Sequence, residues 1–127
     1  MKSMIDRLEY LNDGETKYPM AFTLNVMESA EEEYGGVESW AKLMNQKEPS
    51  YKALKFMVLQ IINEGIDIEN QDLKDDKKKE LLTSKQIGRL ITRVGMDEIG
   101  IKVFKLIQES LPKGDNTKNA VPTKGRR

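Results

Sequence analysis

The chain has 127 residues, 21 basic and 21 acidic side chains, and neither cysteine nor histidine. That length suits one domain around a single core, and the balanced charge gives no cue toward nucleic acid or an anionic membrane. The missing residue types exclude disulfides, thiolate chemistry, most zinc sites and the common nucleophile–base pairs.

No apolar run reaches the roughly 20 residues that span a bilayer. The start, "MKSMIDRLEYL", places charges where a signal peptide has its apolar centre. The expected setting is the cytoplasm. Charge is uneven along the chain: residues 1–50 hold 10 acids and 5 bases, residues 101–127 hold 2 acids and 7 bases. Such polarity either steers head-to-tail association or a charged partner, or is ordinary surface plus a solvated tail.

Residues 4–19 read as a hairpin, with "RLEYL" and "TKYPM" flanking "NDGE" and Asp13-Gly14 as the two-residue turn. Pro19 lacks an amide hydrogen, so its strand must be an edge or stop there. From Met20 the period turns helical, with Met20, Leu24, Met27 and Tyr34 near one stripe and Val26 and Ala30 beside it. Gly35-Gly36 supplies a left-handed stop. A short helix follows in "VESWAKLMN", with Val37, Trp40, Ala41 and Met44 on one face.

Ser50 or Pro49 can start the third helix, the most apolar segment: Tyr51, Leu54, Met57, Val58, Ile61 and Ile62 up to a stop at Gly65. "DIENQDLKDDKKKE" alternates in sign and reads as an exposed loop or frayed helix. Thr83 or Ser84 caps a fourth helix to Val94, burying Ile87, Leu90, Ile91 and Val94, and Gly95 ends it. A fifth, Asp97 to Leu111, buries Ile99, Val103, Leu106 and Ile107, with Phe104 near that face. Beyond Pro112 almost nothing is apolar, the pattern of a disordered tail. The expected architecture is mainly α: one domain over residues 1–111, a bundle of about five helices with a short N-terminal β-hairpin, then a basic tail over 112–127.

Glu31, Glu32 and Glu33 fall in the last turn of the first helix, where the helix dipole disfavours each by roughly 0.3–1 kcal/mol. Consecutive helical positions point about 100° apart, so the three do not converge on a cation. They read as a solvated acidic face or a surface for a basic partner. Trp40 and Tyr51 fall in phase with apolar neighbours and read as core, whereas Phe56 is off phase. Seven methionines add adaptable apolar surface or core filler. The candidate partner-binding residues are Glu31, Glu32, Glu33, Phe56 and Phe104.

The segment "TSKQIGRLITRVGMDEIGIKVF" (within residues 83–110) invites a helix-turn-helix reading, with Lys85, Arg89 and Arg93 on one face. Its recognition helix would open with Asp97 and Glu98, which repel phosphates. A DNA-binding role is the alternative kept open. No phosphate loop, metal signature or nucleophile elbow is present, so no catalytic, metal or cofactor residue is assigned and no enzyme is expected.

The hairpin ending in Tyr-Pro and the helix ending "EEEYGG" resemble the tail assembly chaperones of long-tailed bacteriophages and prophages. So do "VESWAKLM", the apolar "YKALKFMVLQIINEG", "LLTSKQIGRLI" and the last amphipathic helix. The resemblance covers roughly residues 5–111, in pattern more than in an invariant signature, and the insertion "NQDLKDDKKKE" departs from it. It implies a helical, non-catalytic protein of the bacterial host cytoplasm, without cofactor, that binds the tape-measure protein while the tail is built and is absent from the finished particle. Members of that family are often made in a short and a longer frameshifted form, and under the resemblance "KNAVPTKGRR" would be the short form's own ending. A structural tail component is a further alternative. A homo-oligomer fits the charge polarity, and under this resemblance the three glutamates form a patch for the tape-measure protein or for the basic end of another copy.

Overall fold

The computed structural model describes residues 8–111. The tail expected over 112–127, and the part of the hairpin segment before residue 8, lie outside the described residues. The elements are strands β1 (Glu9–Asp13) and β2 (Thr16–Met20), then helices α1 (Leu24–Tyr34), α2 (Val37–Met44), α3 (Tyr51–Asn70), α4 (Ser84–Val94) and α5 (Met96–Ser110). The chain is mostly helical, with an N-terminal antiparallel hairpin, as its periodicities predict.

The hairpin turns one residue later than expected. Asp13 pairs with Thr16, so the loop is Gly14–Glu15, and Gly14 takes the left-handed conformation at φ +63°. The shift leaves Asp13 at the end of β1, where its carboxylate accepts from Arg93 Nε at 2.8 Å. Pro19 remains inside β2, opposite Tyr10. Behind a two-residue loop the bonded pairs are Asp13–Thr16 and every second pair after it, so Tyr10–Pro19 is a non-hydrogen-bonded position and the missing N–H costs no ladder bond.

β2 then lies directly on α3. Ala21 N donates to Ile61 O at 3.1 Å, holding residues 21–23 extended, so α1 begins at Leu24 rather than Met20. Thr23 Oγ1 and Asn25 Nδ2 (the latter at 3.0 Å) both donate to the Glu64 carboxylate on α3, which fixes the rotation of α1. Val26 and Ala30 face the core, while Leu24, expected on the buried stripe, is 71% exposed. Gly35 and Gly36 end α1: Gly35 N donates to Glu31 O and Gly36 N to Ala30 O, with Gly35 at φ +88°.

α3 is the central element. Ser50 caps it, its Oγ accepting from Ala53 N at 3.1 Å. Trp40 of α2, fully buried, donates Nε1 to Ala53 O at 2.8 Å, satisfying its one polar atom inside the core. Gly65 does not stop the helix, which continues to Asn70. A β-carbon on Gly65 would stand 2.5 Å from Pro19 O, so the glycine serves close approach of strand to helix.

The charged segment after α3 is fastened along it. Asn70 donates to Lys79 O at 2.8 Å and accepts from Lys79 N at 2.9 Å; Asn63 does the same with Leu82, at 3.0 and 2.8 Å. Seven helical residues rise about 10.5 Å and three extended residues span about 10 Å, so both anchors fit one antiparallel pass. Only a 3₁₀ turn at Asp75–Lys77 interrupts the irregular backbone.

Thr83 and Gln86 form a reciprocal capping box at the start of α4, whose Ile87, Leu90 and Ile91 are buried. α5 buries Ile99, Val103, Leu106 and Ile107. Lys102 Nζ donates to Tyr10 O at 2.8 Å, so α5 as well as α4 is tied to the hairpin.

Candidate functional site

A concave, mostly apolar feature lies between the first turn of α3 and the second half of α4. Gly88, a helix position without a side chain, lines it beside an apolar floor of Leu54 and Ile91. The Lys55 stem runs across this gap, its Cδ 3.5 Å from where a Gly88 β-carbon would sit. The cavity measures about 440 Å³ and is lined by Tyr51, Leu54, Lys55, Ile91, Thr92 and Met96 around Gly88 and Gly95. Thr92 turns its hydroxyl into its own helix, donating to Gly88 O at 2.9 Å.

Tyr51, expected in the core, is 74% exposed at the rim, and Met96 is 38% exposed opposite it. The Ser50 cap starts α3 at Tyr51, so this residue occupies a first turn beyond the layer of α2 that covers Ala53. A second hollow opens beside the first, lined by Lys55, Lys85, Arg89 and Arg93. Arg93 is engaged with Asp13, whose hydrogen bond is the largest influence raising its pKa above the ordinary arginine value. Lys55, Lys85 and Arg89 form no ion pair among the described residues. The site is an apolar trough with free cations along one edge, suited to the apolar face of an acidic helix.

The residues singled out from sequence lie elsewhere. Glu31, Glu32 and Glu33 are exposed on the last turn of α1, which has no basic residue. Phe56 is half-buried, its ring edge-on to Tyr34 at 5.2 Å and 79°. Phe104 packs against Trp40 at 5.3 Å and belongs with the core. The two phenylalanines thus join helices to one another. The Tyr34 hydroxyl is buried without a partner, and burial first, then Glu33, raises its pKa.

Sequence reasoning found the α4 cations but not the trough beside them. Its signal was Gly88, a glycine in the middle of an otherwise regular amphipathic helix. α4 and α5 are separated by the single residue Gly95, shorter than the three- or four-residue turn of a helix-turn-helix. Among the described residues no helix is long and apolar enough to cross a membrane, and no group of three or more acidic side chains is arranged to hold a cation. Comparison of the chain with family models, with curated proteins and with solved structures returns no match.

Proposed function

We propose that this chain is a non-catalytic tail assembly chaperone of a long-tailed bacteriophage or prophage, holding the tape-measure protein in soluble form while the tail is built. The observation that carries this reading is the α3–α4 trough, an apolar floor of Leu54 and Ile91 between an exposed Tyr51 and Met96, edged by unpaired cations. The sequence resemblance supports it independently. A client helix laid in the trough removes its aliphatic face from water, each large side chain so covered contributing about 1.5–3 kcal/mol. Lys55 and Arg89 then set its direction by meeting carboxylates on the helix flank. Methionine at the rim lets one trough accept successive segments of a long client.

The test is co-expression with the tape-measure protein of the same phage or prophage, followed by pull-down. The expected result is a soluble complex that Tyr51→Ser combined with Ile91→Ser weakens, the latter checked for retained folding. A client that stays insoluble, or is soluble without this chain, refutes the reading. Cations on α4 also invite a nucleic-acid reading, and salt-dependent retention on DNA would favour it instead.

A further inference from the structure

The outward face of α1 has the chemistry the trough lacks. Leu24, Glu28 and Glu31 fall at about 0°, 40° and −20° around the helix, one stripe carrying a leading apolar residue and then two acids. All three are exposed, and neither glutamate forms an ion pair among the described residues. An exposed leucine at 71% accessibility ahead of free carboxylates is an anchor-and-charge pattern without an intramolecular partner.

The spacings correspond. From Leu24 to Glu28 and Glu31 the helix rises about 6 and 10.5 Å. From Thr92, in the trough, back to Arg89 and Lys85 it falls about 4.5 and 10.5 Å. Laid antiparallel on α4, α1 sets Leu24 over the trough, Glu28 beside Arg89 and Glu31 beside Lys85. The antiparallel arrangement also aligns the helix dipoles favourably.

The two surfaces cannot meet within one molecule. Taking Tyr51 as zero on α3, Lys55 lies at about 40° and Leu54 at about −60°, and these face α4. Phe56 and Glu64 lie at about 140° and 220°, and these contact Tyr34 and Asn25 of α1. α1 and α4 therefore flank α3 on opposite sides, and each is open to a neighbouring molecule.

We infer that the occupant of the α3–α4 trough in the absence of a client is α1 of a second copy of this chain. The contact is heterologous, joining different patches, so each copy added leaves a free trough at one end and a free α1 at the other. Assembly continues past a dimer until a ring closes or a filament forms. The inference concerns the chain alone and holds whatever its client is, so the pull-down above neither supports nor harms it.

The test is light scattering on the size-fractionated full chain over a range of concentrations, at about 0.02 M and about 0.5 M salt, where screening differs several-fold. The expected mass at low salt rises with concentration beyond that of a dimer, and high salt lowers it. Glu28→Lys with Glu31→Lys, and separately Lys85→Glu with Arg89→Glu, should each weaken association at least about tenfold, since like charges then face one another. A chain carrying all four reversals exchanges the signs and should recover association to within about threefold of the natural chain. A monomer at every concentration in low salt overturns the inference. So does a mass that stops at the dimer, or association that none of the reversals changes.

Discussion

Replacing Gly65 with alanine is the sharpest probe of how the strand sits on the central helix. In a helix interior glycine is worth about 1 kcal/mol less than alanine, so the substitution begins with a gain of that size. The new β-carbon, however, meets Pro19 O at 2.5 Å and Pro19 C at 2.6 Å, where ordinary contact begins at 3.4 Å. β2 must withdraw by about 0.9 Å, a gap that forfeits a quarter to a half of the dispersion energy across it. The Ala21 N to Ile61 O bond, now 3.1 Å, is lost with it, at about 1 kcal/mol. Overpacking of this kind costs about 1–3 kcal/mol, which leaves a net loss near 2 kcal/mol and a melting point lowered by about 10 °C. Gly100→Ala supplies the control, because it too lies inside a helix but its β-carbon meets nothing within 4 Å. It should raise stability by about 0.5–1 kcal/mol. Urea unfolding followed by circular dichroism measures both. A Gly65→Ala protein as stable as the natural one would refute the close-approach argument.

Thr83→Ala removes half of the capping box on α4 and should cost about 1 kcal/mol in the same unfolding assay, with Gln86→Ala costing less. Asn63→Ala cuts two bonds to Leu82 and should speed protease cleavage within residues 71–82 about tenfold; the more exposed Asn70→Ala should do so by less. The Tyr10 hydroxyl donates to Glu69 at 2.7 Å, and this bond first, then burial, raises its pKa above the ordinary 10.0. The protonated form is the one folding favours, so its contribution is whole below pH 10 and disappears as pH rises through the folded-state value. Tyr10→Phe should remove that part of the alkaline decline in stability, read by unfolding at a series of pH values.

The elements legible in the sequence were those whose signals are local. Thr83, Ser50 and the Gly35-Gly36 pair name helix ends through bonds made within a few residues, and each end falls where that chemistry puts it. Gly65 misled because a lone glycine reads the same whether it ends a helix or admits another backbone. Only the strand lying across α3, some 45 residues earlier in the chain, distinguishes the two. Leu24 misled for a related reason: periodicity assigns a stripe, but Glu64 on another helix sets how α1 is turned about its axis.

The same limit governs the candidate site. Tyr51 is in phase with Leu54 and Val58, and nothing in its own segment reveals that no helix covers the first turn of α3. In the trough Gly88 on α4 stands beside Lys55 on α3, a pairing of two residues each unremarkable alone. The free charges make the complementary point. The Asp13–Arg93 ion pair joins distant elements, yet Glu28 and Glu31 on one flank and Lys85 and Arg89 on the other form none among the described residues. Exposed charges left unpaired on opposite flanks cost little in a monomer, since a surface pair contributes only about 0–1 kcal/mol. They contribute more where a partner's apolar residue seals them from water. Under the proposed self-association, binding falls on the two outer helices, with α3 holding them apart.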